Sequence, residues 1–150
     1  MRESWRTRVA IYPDALAEAM IKEHLWLKSP WERGKLVERG ELLLLYQNFV
    51  ATEKALLLSL MGLNRVYLPH LGFKWMDSLS ADLRLAPPDL AARLRRVFTT
   101  SPFEAAQTLD SLIAETFDLI TTYMPQLDLS EARAAFDEQR PVWDKPPASE

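Results

Sequence analysis

Apolar residues along this chain recur at spacings of three and four, and no run shows the apolar/polar alternation of a half-buried strand. After a lead-in carrying Arg2, Arg6 and Arg8, Tyr12-Pro13-Asp14 opens a helix, with Pro13 near the first turn, where a missing N–H costs nothing. Leu16, Met20 and Leu27, with Ala17 and His24, make one face of it, and Ser29-Pro30 ends it. A longer segment runs from about Trp31 to Arg65. Gly34 and Gly40 weaken its beginning, which predicts two helices joined near Arg39-Gly40. From Glu41 to Asn64 the pattern is strongest. With Glu53 at zero on a wheel of 100° per residue, Leu42, Leu45, Tyr46, Phe49, Val50, Leu56, Leu57, Leu60, Met61 and Leu63 fall within roughly 80° of it. The opposite side carries Leu44, Ala51, Ala55, Leu58 and Gly62. A helix apolar all round is buried on several sides, so this is the central helix, with a close-approach face at Ala51, Ala55 and Gly62.

Pro69 and Gly72 mark a loop from about Val66 to Phe73, followed by a short helix from Lys74 to Leu83. Ala86-Pro87-Pro88-Asp89 opens another that runs to Phe98. Ser101-Pro102-Phe103-Glu104 has a Ser cap, Pro at the first helical position and Glu at the third, and predicts a helix that Pro125 stops. Ser130 caps a last short helix to about Gln139. Residues 141–150 read as a Pro-rich mobile tail. The prediction is an all-α, up-and-down bundle of four to five main helices, one domain over 1–140 with its core between 12 and 123.

Composition supports the helices: 25 Leu and 17 Ala stand against 6 Val and 4 Ile, and Leu and Ala lose little entropy in a helix. A net charge of −3 argues against a generic nucleic-acid binder. The absence of cysteine excludes disulfides, thiolate metal sites and a cysteine nucleophile. The longest apolar stretch, Leu42 to Thr52, meets Glu53-Lys54 well short of the ~20 residues of a membrane span. With no basic-apolar-small leader either, the expectation is a cytoplasmic chain with no membrane partner. Four scattered glycines build no phosphate loop and no Gly-x-Ser-x-Gly elbow. His24 and His70 are too far apart for a zinc helix. No glycine precedes a serine and no two aspartates stand two apart, so the loop and the metal-holding pair of nucleotidyl transfer are both missing.

Glu53, set in a Leu-rich stripe, is the first candidate for chemistry. A lone buried carboxylate is costly, and either pairs, neutralises or works. Tyr46 and Asn64 fall within about 20° of it and would complete a polar line on one face, or one internal hydrogen-bond network. Directly after come Arg65, Tyr67, His70, Lys74 and Trp75. The cations suit phosphate or carboxylate and the rings suit stacking on a base or sugar; a packed interhelix loop is the plainer alternative. Arg93, Arg95 and Arg96 read as a solvated face at a helix C-terminus, and His24 as a face residue of no special role.

The segments Leu63-Asn64-Arg65-Val66-Tyr67-Leu68-Pro69, Lys74-Trp75 and Leu85-Ala86-Pro87-Pro88-Asp89-Leu90 resemble the helical domain, of unknown function, that follows the catalytic domain in a group of bacterial nucleotidyltransferase-like proteins. That domain is similar to the helical C-terminal domains of kanamycin and streptomycin nucleotidyltransferases and to the broad HEPN-like group of bundles. The resemblance spans roughly Tyr12 to Tyr123. It implies a bundle that packs against a nucleotidyltransferase catalytic domain, in the same chain or a separate one, and forms one wall of the substrate cleft. Tyr46, Glu53, Asn64, Arg65, Tyr67, Lys74 and Trp75 would bind substrate there. By the same resemblance Glu53 would position or deprotonate an acceptor hydroxyl, and Arg65 and Lys74 would contact nucleotide phosphates.

This chain lacks the family's catalytic motifs, so the resemblance implies no enzyme on its own. Nucleotide with magnesium is implied only with the catalytic partner. Two other readings use the same sequence. Arg65 followed after four residues by His70 resembles the Arg–His motif of HEPN ribonucleases, in which His70 would act as acid/base on a 2′-hydroxyl without metal, although Pro69 breaks the helix that normally presents such a pair. The exposed Leu positions and two-sided central helix would alternatively serve a homodimeric interaction module.

Overall fold

Seven helices and no strand form among residues 11–67 and 76–139, the residues that the structure, a computed structural model, describes. They are α1 (Asp14–His24), α2 (Pro30–Arg39), α3 (Leu42–Asn64), α4 (Met76–Asp82), α5 (Leu90–Arg96), α6 (Pro102–Tyr123) and α7 (Ser130–Phe136). The expected Pro-rich tail lies outside the described residues.

Serine and proline set two of the starts, the one before α6 as expected and the one before α2 at residues read from sequence as the end of the preceding helix. Before α2, the Ser29 hydroxyl accepts from the Glu32 N–H and the Glu32 carboxylate accepts from the Ser29 N–H, each at 3.2 Å, with Pro30 at the first position. Before α6, Ser101 accepts from the Glu104 N–H at 3.3 Å. Gly40, at φ 64°, ends α2 in the left-handed region that glycine adopts without a Cβ penalty, which confirms the joint between two helices. Other ends differ from expectation: α5 spans only Leu90–Arg96, short of Phe98. α1 stops at His24, leaving 25–29 as a non-helical link. Ser130 is not a cap: the Asp128 carboxylate accepts the Ser130 N–H at 3.0 Å, and α7 ends at Phe136.

Helices α1, α2 and α6 all pack on α3, and buried residues from 12 to 136 join in one core. The C-terminal half of α3 is buried nearly all round, from Leu56 and Leu57 through Ser59, Leu60, Met61, Gly62 and Leu63, as a central helix should be. Its N-terminal half is not. There Leu45, Phe49, Thr52 and Leu56 form the buried stripe, which is centred about 70° from Glu53 at 100° per residue. Leu42 and Val50, expected in the core, are 53% and 42% exposed, and Leu43 and Leu44 also face outward. Hydrophobicity alone marks both sides of this half as apolar, and the packing of neighbours selects one. In α1 the buried face is Ala17 and Ile21, continued by Leu25, while Leu16 is exposed.

Gly62 explains the tight meeting of α1 and α3. A Cβ there would lie 2.9 Å from Met20 Cβ and 3.1 Å from the Ala17 carbonyl oxygen, and the second of these is backbone that cannot rotate away. Ala55 is partly buried, whereas Ala51 is exposed and takes no part in this approach. Gly62→Ala is expected to cost about 1–2 kcal/mol net, the overpacking strain exceeding the roughly 1 kcal/mol of helix propensity that alanine gains. Urea unfolding of the variant checks it.

A buried ion pair fastens α2 to α6. Arg33 is fully buried, its Nε lies 3.6 Å from Asp110 Oδ1, and Nη1 and Nη2 both donate to the Lys28 carbonyl at 3.2 and 3.3 Å. Among the described residues neither Arg33 Nε nor Asp110 Oδ1 has a hydrogen-bond partner. Burial holds the guanidinium pKa below its ordinary value, against the pull of Asp110, and raises that of the Asp110 carboxyl.

Candidate functional site

The predicted polar line runs along α3, but its members have separate surroundings. Asn64, in the last turn of α3, is committed to the backbone. Its Nδ2 donates to the Leu60 and Leu85 carbonyls at 2.7 and 2.8 Å, and its Oδ1 accepts the Leu85 N–H at 2.8 Å. With three of its four hydrogen-bonding positions filled, Asn64 is a staple that fixes the 83–86 segment against the end of α3. Tyr46 is half-buried at the other end, its ring 5.3 Å from Phe49 and 6.4 Å from Phe98.

The residues after α3 turn back onto α1. Arg65 closes the helix in the left-handed region at φ 54°, and its guanidinium pairs with Asp14 in the first turn of α1. Tyr67 stacks tilted on Tyr12, with ring centroids 4.7 Å apart. Burial, aided by Tyr67 and opposed by Arg65, pushes the Tyr12 phenol pKa up. Arg65 and Tyr67 therefore have partners within the chain, a contact that sequence spacing could not show because it joins residues fifty apart. Lys74, Trp75 and His70 lie outside the described residues.

Glu53 is different. It stands on the flank of the buried stripe of α3, between Phe49 and Leu57, which are fully or almost fully buried. Its Oε1 is buried and has no hydrogen-bond partner, and no cation pairs with it among the described residues. Burial alone pushes its carboxyl up to about 8. At neutral pH the group is therefore mostly protonated, a hydrogen-bond donor held in an apolar wall. The internal ion pair that would have made it structural is absent among the described residues. A donor or acceptor that enters from outside would fill the position left open at Oε1.

Arg93 departs from the solvated-face expectation. It reaches from α5 to α6 and grips Glu115 with both terminal nitrogens, at 2.8 and 2.6 Å, which raises the guanidinium pKa. Arg95 pairs with Asp77, and Arg96 is exposed. Three surface grooves of about 350, 440 and 380 Å³ lie between α1 and the 128–132 segment, between α5 and α6, and along α6 beside Ala86–Pro88. None of the three is lined by Tyr46, Glu53, Asn64, Arg65 or Tyr67. The unpaired acid and the open grooves are thus distinct features, and the acid is the stronger sign of chemistry because an unpaired buried carboxyl has a cost.

No helix among the described residues is long and apolar enough to cross a membrane. A family profile described as "Domain of unknown function (DUF4037)" matches residues 2–76, which contain α1, α2 and all of α3 with Glu53. No curated protein matches the chain, and no solved structure matches it.

Proposed function

The chain belongs to the DUF4037 family, and from that premise we propose that it is a non-catalytic helical accessory domain of the nucleotidyltransferase type, a HEPN-like bundle whose α3 lines a nucleotide or acceptor pocket completed by a catalytic domain. Glu53 carries this reading: a carboxyl with a buried, partnerless oxygen in a Leu-rich helix, within the part of the chain that the family covers. Its role is to meet the polar group of an acceptor. Protonated, it donates a hydrogen bond into the pocket; on contact with a hydroxyl or an amine it can release or exchange that proton. Tyr46, on the same face of α3, would border this wall. Arg65 and Asn64 act at one remove, Arg65 by holding α1 and Asn64 by holding the 83–86 segment.

Among the described residues no group of three or more His, Asp or Glu side chains could hold a metal ion. The reading assigns magnesium and the phosphoryl chemistry to the catalytic domain. The test is co-purification of the chain with the nucleotidyltransferase domain encoded in or beside its reading frame, followed by transfer assays. Glu53→Gln is expected to keep the complex and to lower transfer about tenfold or more. Unchanged transfer in that variant, or a chain that ignores the catalytic domain, would contradict the reading.

A further inference from the structure

A second site stands apart from the Glu53 wall, where the end of α1 faces the entry to α7. The groove there has a volume of about 350 Å³, within the range of small-ligand sites. Ile21 and Leu25 lie fully buried beneath its floor, and the apolar surface it offers comes from Trp26 and the half-buried Leu129. Trp26 flanks it with 57% of its surface exposed, although a tryptophan without a partner is usually covered. No cation stacks on this ring among the described residues, whereas Trp31 and Phe117 each carry one.

The charges on the rim decide what the groove accepts. The place an anion would take, at the start of α7, is filled by Asp128, which accepts the Ser130 N–H. Hydrogen bonding from the Ser130 hydroxyl, then from its backbone N–H, and the charge of Lys22 nearby keep the Asp128 carboxyl below its ordinary pKa, so it remains ionised. Lys22 offsets Asp128. Glu131, on the same rim, makes no ion pair among the described residues, which leaves one negative charge in excess. An uncovered indole, a half-buried leucine and an unbalanced carboxylate together match a cation with an apolar body, because the indole face attracts positive charge.

We propose that this groove binds a small organic ammonium ion, its charge between the Trp26 ring and the Glu131 carboxylate and its apolar part against Leu129. The test is a heteronuclear NMR titration of the full chain with benzyltrimethylammonium, with benzyl alcohol and benzoate as neutral and anionic counterparts. Saturating shifts of the Trp26 indole N–H and of the 128–132 amides are expected with the cation, with affinity for both counterparts lower by about tenfold or more. Trp26→Ala is expected to weaken binding about tenfold and Glu131→Gln about threefold, the latter without change in melting temperature because its side chain is exposed. The absence of a saturating shift at Trp26, equal response to the three compounds, or wild-type affinity in both variants would overturn the proposal.

Discussion

Arg33→Ala is expected to lower the stability of the fold by about 3–5 kcal/mol, the cost typical of removing one partner of a buried pair. Three losses coincide at this position. Asp110 loses the cation paired with it, while its carboxyl is already raised by burial. The Lys28 carbonyl loses two donors, and the link between α1 and α2 loses its anchor. The fully buried side chain also leaves a cavity. Arg33→Met separates packing from charge. It fills most of the space but leaves Asp110 unpaired, and should recover about 1–2 kcal/mol of the loss. Arg33→Met with Asp110→Leu removes both charges and is expected to approach wild-type stability. Guanidinium unfolding at constant pH measures all three. A double variant no more stable than Arg33→Met alone would show that the pair itself is strongly favourable.

The second large effect concerns pH. Glu53 has its folded pKa raised from 4.5 to about 8. Below pH 4.5 it is protonated in both folded and unfolded chains and adds no penalty. Between pH 4.5 and 8 the unfolded chain gives up this proton while the folded chain keeps it, so stability falls as pH rises. Above 8 the full cost is present. Discounted for the part of the carboxyl that still faces water, that cost is about 2–3 kcal/mol. Glu53→Gln removes the titration. The variant should match wild type near pH 4 and exceed it by about 2–3 kcal/mol near pH 9. Taking the difference between the two proteins cancels the other carboxyls, among them Asp110 and Asp128. Parallel stability curves across this range would show that Glu53 is not held apart from water. A substitution that stabilises the fold and lowers transfer would mark a residue retained for function at the expense of stability.

The helices were legible because their starts and stops are local. Gly40 and Ser101-Pro102 act within a turn of their own position, and the structure places the joint and α6 where these residues predict them, whereas Ser29-Pro30, which reads as a stop, caps the start of α2. The face that each helix buries is not local. Leu42, Leu43, Leu44 and Val50 are as apolar as Leu45 and Phe49, and only the neighbours of α3 decide which set is covered. The candidate cluster dispersed for the same reason. Asn64 and Arg65 look alike as free polar groups in sequence, but one bonds Leu85 and the other pairs with Asp14, partners that depend on how distant segments fold back. Arg33 and Asp110 were missed, although a signal for them exists. Arg33 shares a stripe with Leu36 and Val37, and Asp110 with Ala106 and Ile113, so a charge of each sign interrupts an apolar face. Glu53 was found by that same signal.

Glu53 rests uncharged in the wall of α3, unpaired among the described residues and open to a group from outside them. A carbon-13 NMR titration of its side-chain carboxyl, assigned with Glu53→Gln, measures this directly. A midpoint near 8 is expected. A midpoint near the ordinary 4.5 would mean that the carboxylate is solvated or paired, and would contradict the account.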